Sequence, residues 1–231
     1  MNLLQFETAV ANETGLSATD EKTTIDDALN VAVQRVLEDT HCYVKKTDYT
    51  GFDGVSGDYT LDAAILDIVE LYLTSSSATR YALARVSVSE LIERRRVSVA
   101  SGSPTSFYAV TGDNLMMFWP GPGTGDTLSV YSVPVPTALS VATDDPSTNA
   151  NGGVPQILHE AIFFYACSRC ASYDDDQTSA QGQRYRDWYD KEIVRYHKII
   201  REKGGDRNAR AIVNEKRRRR AFHDNDIYPA S

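Results

Sequence analysis

The string Gly121-Pro122-Gly123-Thr124-Gly125-Asp126-Thr127, which follows Pro120, stands one letter from the end of an eight-residue phosphate-binding loop. In such loops glycine amides cradle the anion, and a lysine at the seventh position reaches the β- and γ-phosphates. Here the seventh residue is Asp126, which repels phosphate, and the first is Pro120, which has no amide hydrogen to donate. The loop would also have to open a helix whose N-terminus faces the anion. Instead Thr127 to Val133 mixes polar and apolar residues in strand-like alternation. The spacing predicts a Pro/Gly-rich hairpin turn and no nucleotide site.

Other reactive residue types meet similar objections. Cys167-Ser168-Arg169-Cys170 has redox or zinc spacing, but it falls well inside an apolar helical run, whereas reactive thiols sit at helix N-termini. A structural zinc would need two more suitably placed ligands, and only Cys42 and four histidines remain. The pair is expected to pack as small buried thiols. His159-Glu160 begins a His-Glu-x-x-His metalloprotease motif, but Phe163 takes the second ligand's place. His41 beside Cys42 lacks an evident third partner. Asp174-Asp175-Asp176 reads as a solvated turn capping the last helix, and the acids of Asp48–Gly54 miss calcium-loop spacing. We expect no catalytic residues, no cofactor and no metal.

Composition narrows the class. At 231 residues, 42% apolar and 24% charged, the chain can build one good core, or two modules sharing one. No run approaches the roughly 18 apolar residues of a membrane span. The N-terminal stretch lacks a signal peptide's basic and apolar regions, so function without secretion is expected. Three cysteines argue against a disulfide scaffold. The net charge of −8 is unevenly spread: residues 201–231 hold nine Lys/Arg against five Asp/Glu, so the first 200 residues carry −12. A body this acidic is a poor duplex binder.

Periodicity supplies the elements. Residues 3–14 suit a short helix closed by Gly15. Thr24 and Asp27 resemble a capping pair, and Ile25, Ala28, Leu29, Ala32, Val33, Val36 and Leu37 form one apolar stripe. Short strands are expected at 42–46, 65–74, 81–86, 106–110, 115–119 and 128–133, separated by turn signals. A Ser-capped helical turn at 87–94 interrupts them. Helix resumes after Pro155 in a run apolar on nearly every side, which suits a central position. A last helix, about 181–203, turns Tyr185, Trp188, Tyr189, Ile193, Tyr196, Ile199 and Ile200 inward, with Asp187–Lys191 and Glu192–Arg195 pairs outside.

The expected fold is α+β. A helical bundle (1–41 and 154–204) carries an inserted antiparallel β-domain (42–136), sandwich- or barrel-like. Residues 137–153 form a linker loop, and 205–231 an extended C-terminal tail.

The tail combines Lys216, Arg217, Arg218, Arg219 and Arg220 with Phe222, Ile227 and Tyr228. Arginine pairs bidentately with carboxylate or phosphate, and the apolar residues suit pockets on a partner. The segment reads as a docking tail that orders on a partner. Extended from Gly204, it reaches ~90 Å at ~3.3 Å per residue. The alternative is a nucleic-acid-binding accessory protein using Lys216–Arg220 on phosphates. A zinc- or thiol-dependent enzyme is a third class.

The ordered set of motifs carries more than any one of them. Leu29-Asn30-Val31-Ala32, Ile65-Leu66-Asp67-Ile68-Val69 and Ser89-Glu90-Leu91 come first. Gly102–Ala109, Met117-Phe118-Trp119-Pro120-Gly121-Pro122 and Val130-Tyr131-Ser132-Val133-Pro134 follow, and Val154-Pro155 opens a helix with Ala161 and Ala166. Over roughly residues 20–200 this resembles the head–tail connector adaptor proteins of tailed bacteriophages. The resemblance implies a non-enzymatic virion protein assembled in the host cytoplasm, in a ring, usually of twelve, beneath the portal protein. It also implies a C-terminal segment reaching the portal, a downstream tail, stopper or nozzle partner, and genomic DNA passing through the lumen without sequence-specific binding. The basic-aromatic tail matches that family by position only.

Overall fold

The apolar stripe beginning at Ile25 is one face of a helix in the computed structural model, which describes residues 1–54, 57–61, 65–97, 105–111, 115–171 and 178–202. Helix α1 spans Leu3–Thr14. The Gln5 amide donates to Asn2 Oδ1 and the Asn2 amide to Gln5 Oε1, both at 3.0 Å, so two otherwise orphaned donors are satisfied reciprocally. Gly15 ends it at φ 76°, a left-handed conformation glycine adopts without strain.

Helix α2 spans Lys22–Thr40, so Thr24 and Asp27 lie inside it and do not cap it. The chain turns earlier than expected because Ser17 N donates to Glu21 Oε2 at 2.6 Å. Lys22 then bonds both Asp26, at 2.9 Å, and the buried Glu7 of α1. After a single turn of 3-10 helix at Gln156–Leu158, α4 spans His159–Ala171 and α5 Thr178–Glu202. As its apolar run predicts, α4 is enclosed, touching α1, α2 and α5.

The β-region holds β1 (Lys45–Tyr49), β2 (Asp58–Thr60), β3 (Ile65–Thr74), β4 (Arg80–Ala82) and β5 (Ala84–Arg85). Helix α3 (Val88–Val97), β6 (Phe107–Val110), β7 (Leu115–Trp119) and β8 (Thr127–Pro134) follow. Two four-stranded sheets, ordered β1-β8-β3-β4 and β2-β7-β6-β5, bury Leu71, Leu73, Leu128 and Val130 against Tyr108, Met116 and Phe118. The architecture is the expected α+β, with a sandwich rather than a barrel.

Several expectations change in detail. The first strand is 45–49 rather than 42–46, because Cys42 and Tyr43 pack against the helical core. The expected strand 81–86 breaks at Leu83, whose amide donates to Leu71 O at 3.0 Å, and the chain passes there from one sheet to the other. β5 then pairs with β6 in parallel, an exception to the antiparallel pattern. Strands β7 and β8 also belong to different sheets, so the Pro/Gly loop between them is a crossing and not a hairpin turn.

Strand β3 joins the two halves. Its register against β8 slips between Ile65 and Asp67 and again between Ile68 and Glu70. The two extra residues, Leu66 and Val69, pack on the helical core, while Ile65, Ile68, Leu71 and Leu73 serve the sandwich. A bulge of one residue reverses the face on which the following side chains emerge, which is how one strand supplies both sides.

Residues 137–153 bind closely to the bundle. Leu139 N donates to Asn30 Oδ1 at 2.7 Å and Asn30 Nδ2 donates back to Leu139 O at 3.2 Å. Leu3 N donates to Asp144 O at 2.7 Å. Replacing Asn30 by Ala leaves two polar groups of Leu139 unpaired, at about 1–3 kcal/mol. We expect a lower urea midpoint and faster hydrogen exchange at Leu139. An unchanged exchange rate there would refute the clamp.

Candidate interaction surfaces

Asp126, which spoils the phosphate-loop pattern, has a structural task. Its Oδ2 accepts from Gly123 N at 2.8 Å and its Oδ1 from Ser76 N at 3.1 Å, with the residue 9% exposed. The carboxylate therefore binds one amide of its own loop and ties the β7–β8 crossing to the turn after β3.

The thiols are placed for packing. Cys167 and Cys170 lie in the C-terminal half of α4 and are buried. Burial pushes the Cys170 thiol up to about 11 and Cys167 further above the ordinary range. Burial also raises Cys42. A nucleophilic or metal-binding sulfur needs the opposite shift.

The structure does supply the third partner that the sequence withheld from His41. His41 ends α2 at φ 48°, and its Nε2 lies 3.0 Å from Asp67 Oδ2 on β3. Burial opposes ionisation of Asp67, but the His41 ring, then the Ile68 amide and then Arg85, 3.8 Å away, hold its carboxyl below the usual range. This set joins α2 to β3. His159 opens α4 with its ring against Phe6, and burial pushes its pKa down.

The acids of Asp48–Gly54 diverge, Asp48 to Lys46 and Ser129, and Asp53 to the Tyr59 hydroxyl. Among the described residues, no group of three His, Cys, Asp or Glu could hold a metal ion, and no helix is long and apolar enough to cross a membrane.

Arginines of the β-region are engaged. Arg95 bonds Asp58, Gly57 O and Phe118 O, and Arg94 bonds Glu90 and lies over the Phe107 ring. Arg96 pairs with Glu93, and Arg80 covers Tyr72 at 3.8 Å. Arg94, Arg95 and Arg96 thus have carboxylate partners, whereas Arg80 meets a ring and the exposed Lys45 has no ion pair among the described residues.

On α5, Tyr185 donates to Glu13 Oε1 at 2.9 Å and Tyr189 to Asp39 Oδ2 at 2.7 Å, both rings buried as expected. Trp188 does not face inward: it is 36% exposed, its ring 5.4 Å from Phe164 and 5.6 Å from Tyr185. The outer pairs also differ. Glu192 bonds Arg195 as expected, but Asp187 accepts from Gln183, leaving Lys191 without an ionic partner among the described residues.

Trp188 belongs to a second seam. Arg184, Trp188, Lys191, Arg195 and Lys198 recur at steps of four and three residues and are all exposed. That spacing keeps side chains on one helix face, beside the buried seam one residue ahead of it. The signal is legible in the sequence, but the stronger tyrosine seam obscures it. The docking residues expected in the tail, Lys216, Arg217, Arg218, Arg219, Arg220, Phe222, Ile227 and Tyr228, lie outside the described residues, as does Asp174–Asp176.

A family model described as SU10 adaptor protein matches residues 1–214. No curated protein matches the chain. The chain belongs to the SU10 adaptor protein family, in agreement with the phage adaptor resemblance of its ordered motifs. The match ends just before Lys216.

Two outcomes test these assignments. Asp126→Lys completes the last three residues of a phosphate-loop signature, yet it should lower the unfolding temperature and create no ATP affinity; tight labelled-ATP binding would overturn the structural role. At pH 7.5 a disulfide thiol reagent should leave Cys167 and Cys170 unmodified until denaturant is added. Rapid labelling of the folded protein would contradict their burial.

Proposed function

We propose that this phage adaptor forms a ring beneath the portal protein, usually of twelve in its class, and docks to the portal through residues 205–231. A downstream tail, stopper or nozzle protein would meet its opposite side. The genome would pass through the lumen without sequence-specific contacts, and assembly would take place in the host cytoplasm. No catalytic turnover is part of this reading.

The carrying observation is the division of charge, −12 over residues 1–200 against +4 over 201–231. Phosphates bind where cations gather and release counterions, so an acidic wall lets a duplex slide. A cationic segment tipped with Phe222, Ile227 and Tyr228 suits acidic and apolar pockets between portal subunits. Each site can be weak, because a ring engages many copies at once. The carboxylate partners of Arg94, Arg95 and Arg96 support the same reading, since these arginines are already engaged.

Mixing the portal protein with full-length chain, and with a truncation ending at Gly205, tests the docking claim by co-sedimentation. We expect truncation to weaken association at least tenfold. Equal binding would remove the tail from the reading. Loss of steeply salt-dependent DNA binding, with portal binding intact, would favour the nucleic-acid accessory alternative.

A further inference from the structure

The exposed seam of α5 runs from Arg184 to Lys198, about 21 Å at ~1.5 Å per residue. Its middle is apolar: Trp188 adjoins Phe164, whose ring is 5.5 Å from that of Phe163. Both phenylalanines are only partly buried. Its flanks are cationic. Arg184 and Lys191 have no ionic partner among the described residues, Arg195 meets the exposed Glu160 at 3.8 Å and Glu192 at 3.2 Å, and Lys198 meets Glu202 at 3.8 Å.

The same chain carries a complementary surface. Residues 1–41 hold eight Asp/Glu and two Lys/Arg, whereas α5 holds six Lys/Arg and four Asp/Glu. Glu13, Asp20, Glu21 and Asp27, around the α1–α2 turn, are exposed, with Leu16 half-buried among them. Within one copy the Tyr185–Glu13 bond holds the end of α1 against the N-terminal half of α5. In a cyclic assembly each copy joins the next head to tail through two unlike, complementary patches.

We propose that the α5 seam, with Phe163 and Phe164, receives the acidic α1–α2 turn of a second copy of this chain. This rests on the ring reading above and names the surfaces that would close the ring. A nucleic acid fits the seam less well. Asp187, Asp190 and Glu192 interleave with its cations, and two of the four cations already hold carboxylates. The Trp188–Phe164 ledge, by contrast, suits an apolar side chain such as Leu16.

The test uses full-length chain with its portal protein, read by native mass spectrometry. Arg184→Glu with Lys191→Glu should weaken the oligomer at least tenfold, as should Glu21→Lys with Asp27→Lys. Combining the four should restore it, which also shows that the variants fold. In a mixture of 14N- and 15N-labelled copies, carbodiimide should join Lys191 to Glu21 or Asp27 of the other isotope. An oligomer indifferent to both reversals would overturn these surfaces while leaving the ring reading intact. A wild-type chain that stays monomeric with and without portal would overturn both. Reversals that abolish DNA co-sedimentation and spare the oligomer would give the seam to a polyanion and overturn the proposal.

Discussion

Everything in the fold depends on one strand serving two hydrophobic cores. A regular strand sends alternate side chains to two faces, and β3 must fill a sandwich while also closing the side of a helical bundle. The two extra residues, Leu66 and Val69, solve this by leaving the ladder and entering the helical core. Val133 of β8 joins them there, while Val130 and Leu128 return to the sandwich. The two cores are thereby coupled through continuous backbone, and Asp67 meets His41 and Arg85 at the same joint.

Burial also draws many of the suggestive residues into internal contacts. Asp126 accepts from the Gly123 and Ser76 amides, and Glu7 is paired with Lys22. Burial raises the thiol pKa of Cys167 and Cys170. Ionised or polar groups withdrawn from water must find partners, and these partners are internal. The exterior carries an exposed seam on α5, and the sequence segregates its charge. That suits an adaptor, whose work is to fit between other proteins.

Much of this was legible in the residues. The stripe from Ile25 to Leu37 has a helical period, the long apolar run after Pro155 suits a buried helix, and both helices formed. The phage adaptor resemblance rested on ordered Gly, Pro and aromatic punctuation, and the family match agrees with it. Local signals failed where a distant partner decided the outcome. Thr24 lost its capping role because Lys22 reaches Glu7 across the α1–α2 turn. Residues 81–86 read as one strand until Leu83 had to bond Leu71 in one sheet and Ala84 had to pair with Phe107 in the other.

By itself, then, the sequence determined which segments are helical, where charge is segregated, and that no familiar catalytic spacing is complete. These follow from residue type and short-range periodicity. Tertiary structure alone decided that the Pro/Gly loop crosses between sheets, that His41 finds Asp67, and that Trp188 faces solvent. Each depends on which surfaces meet after residues far apart in the chain have packed, and a one-residue shift of register is enough to reverse the result.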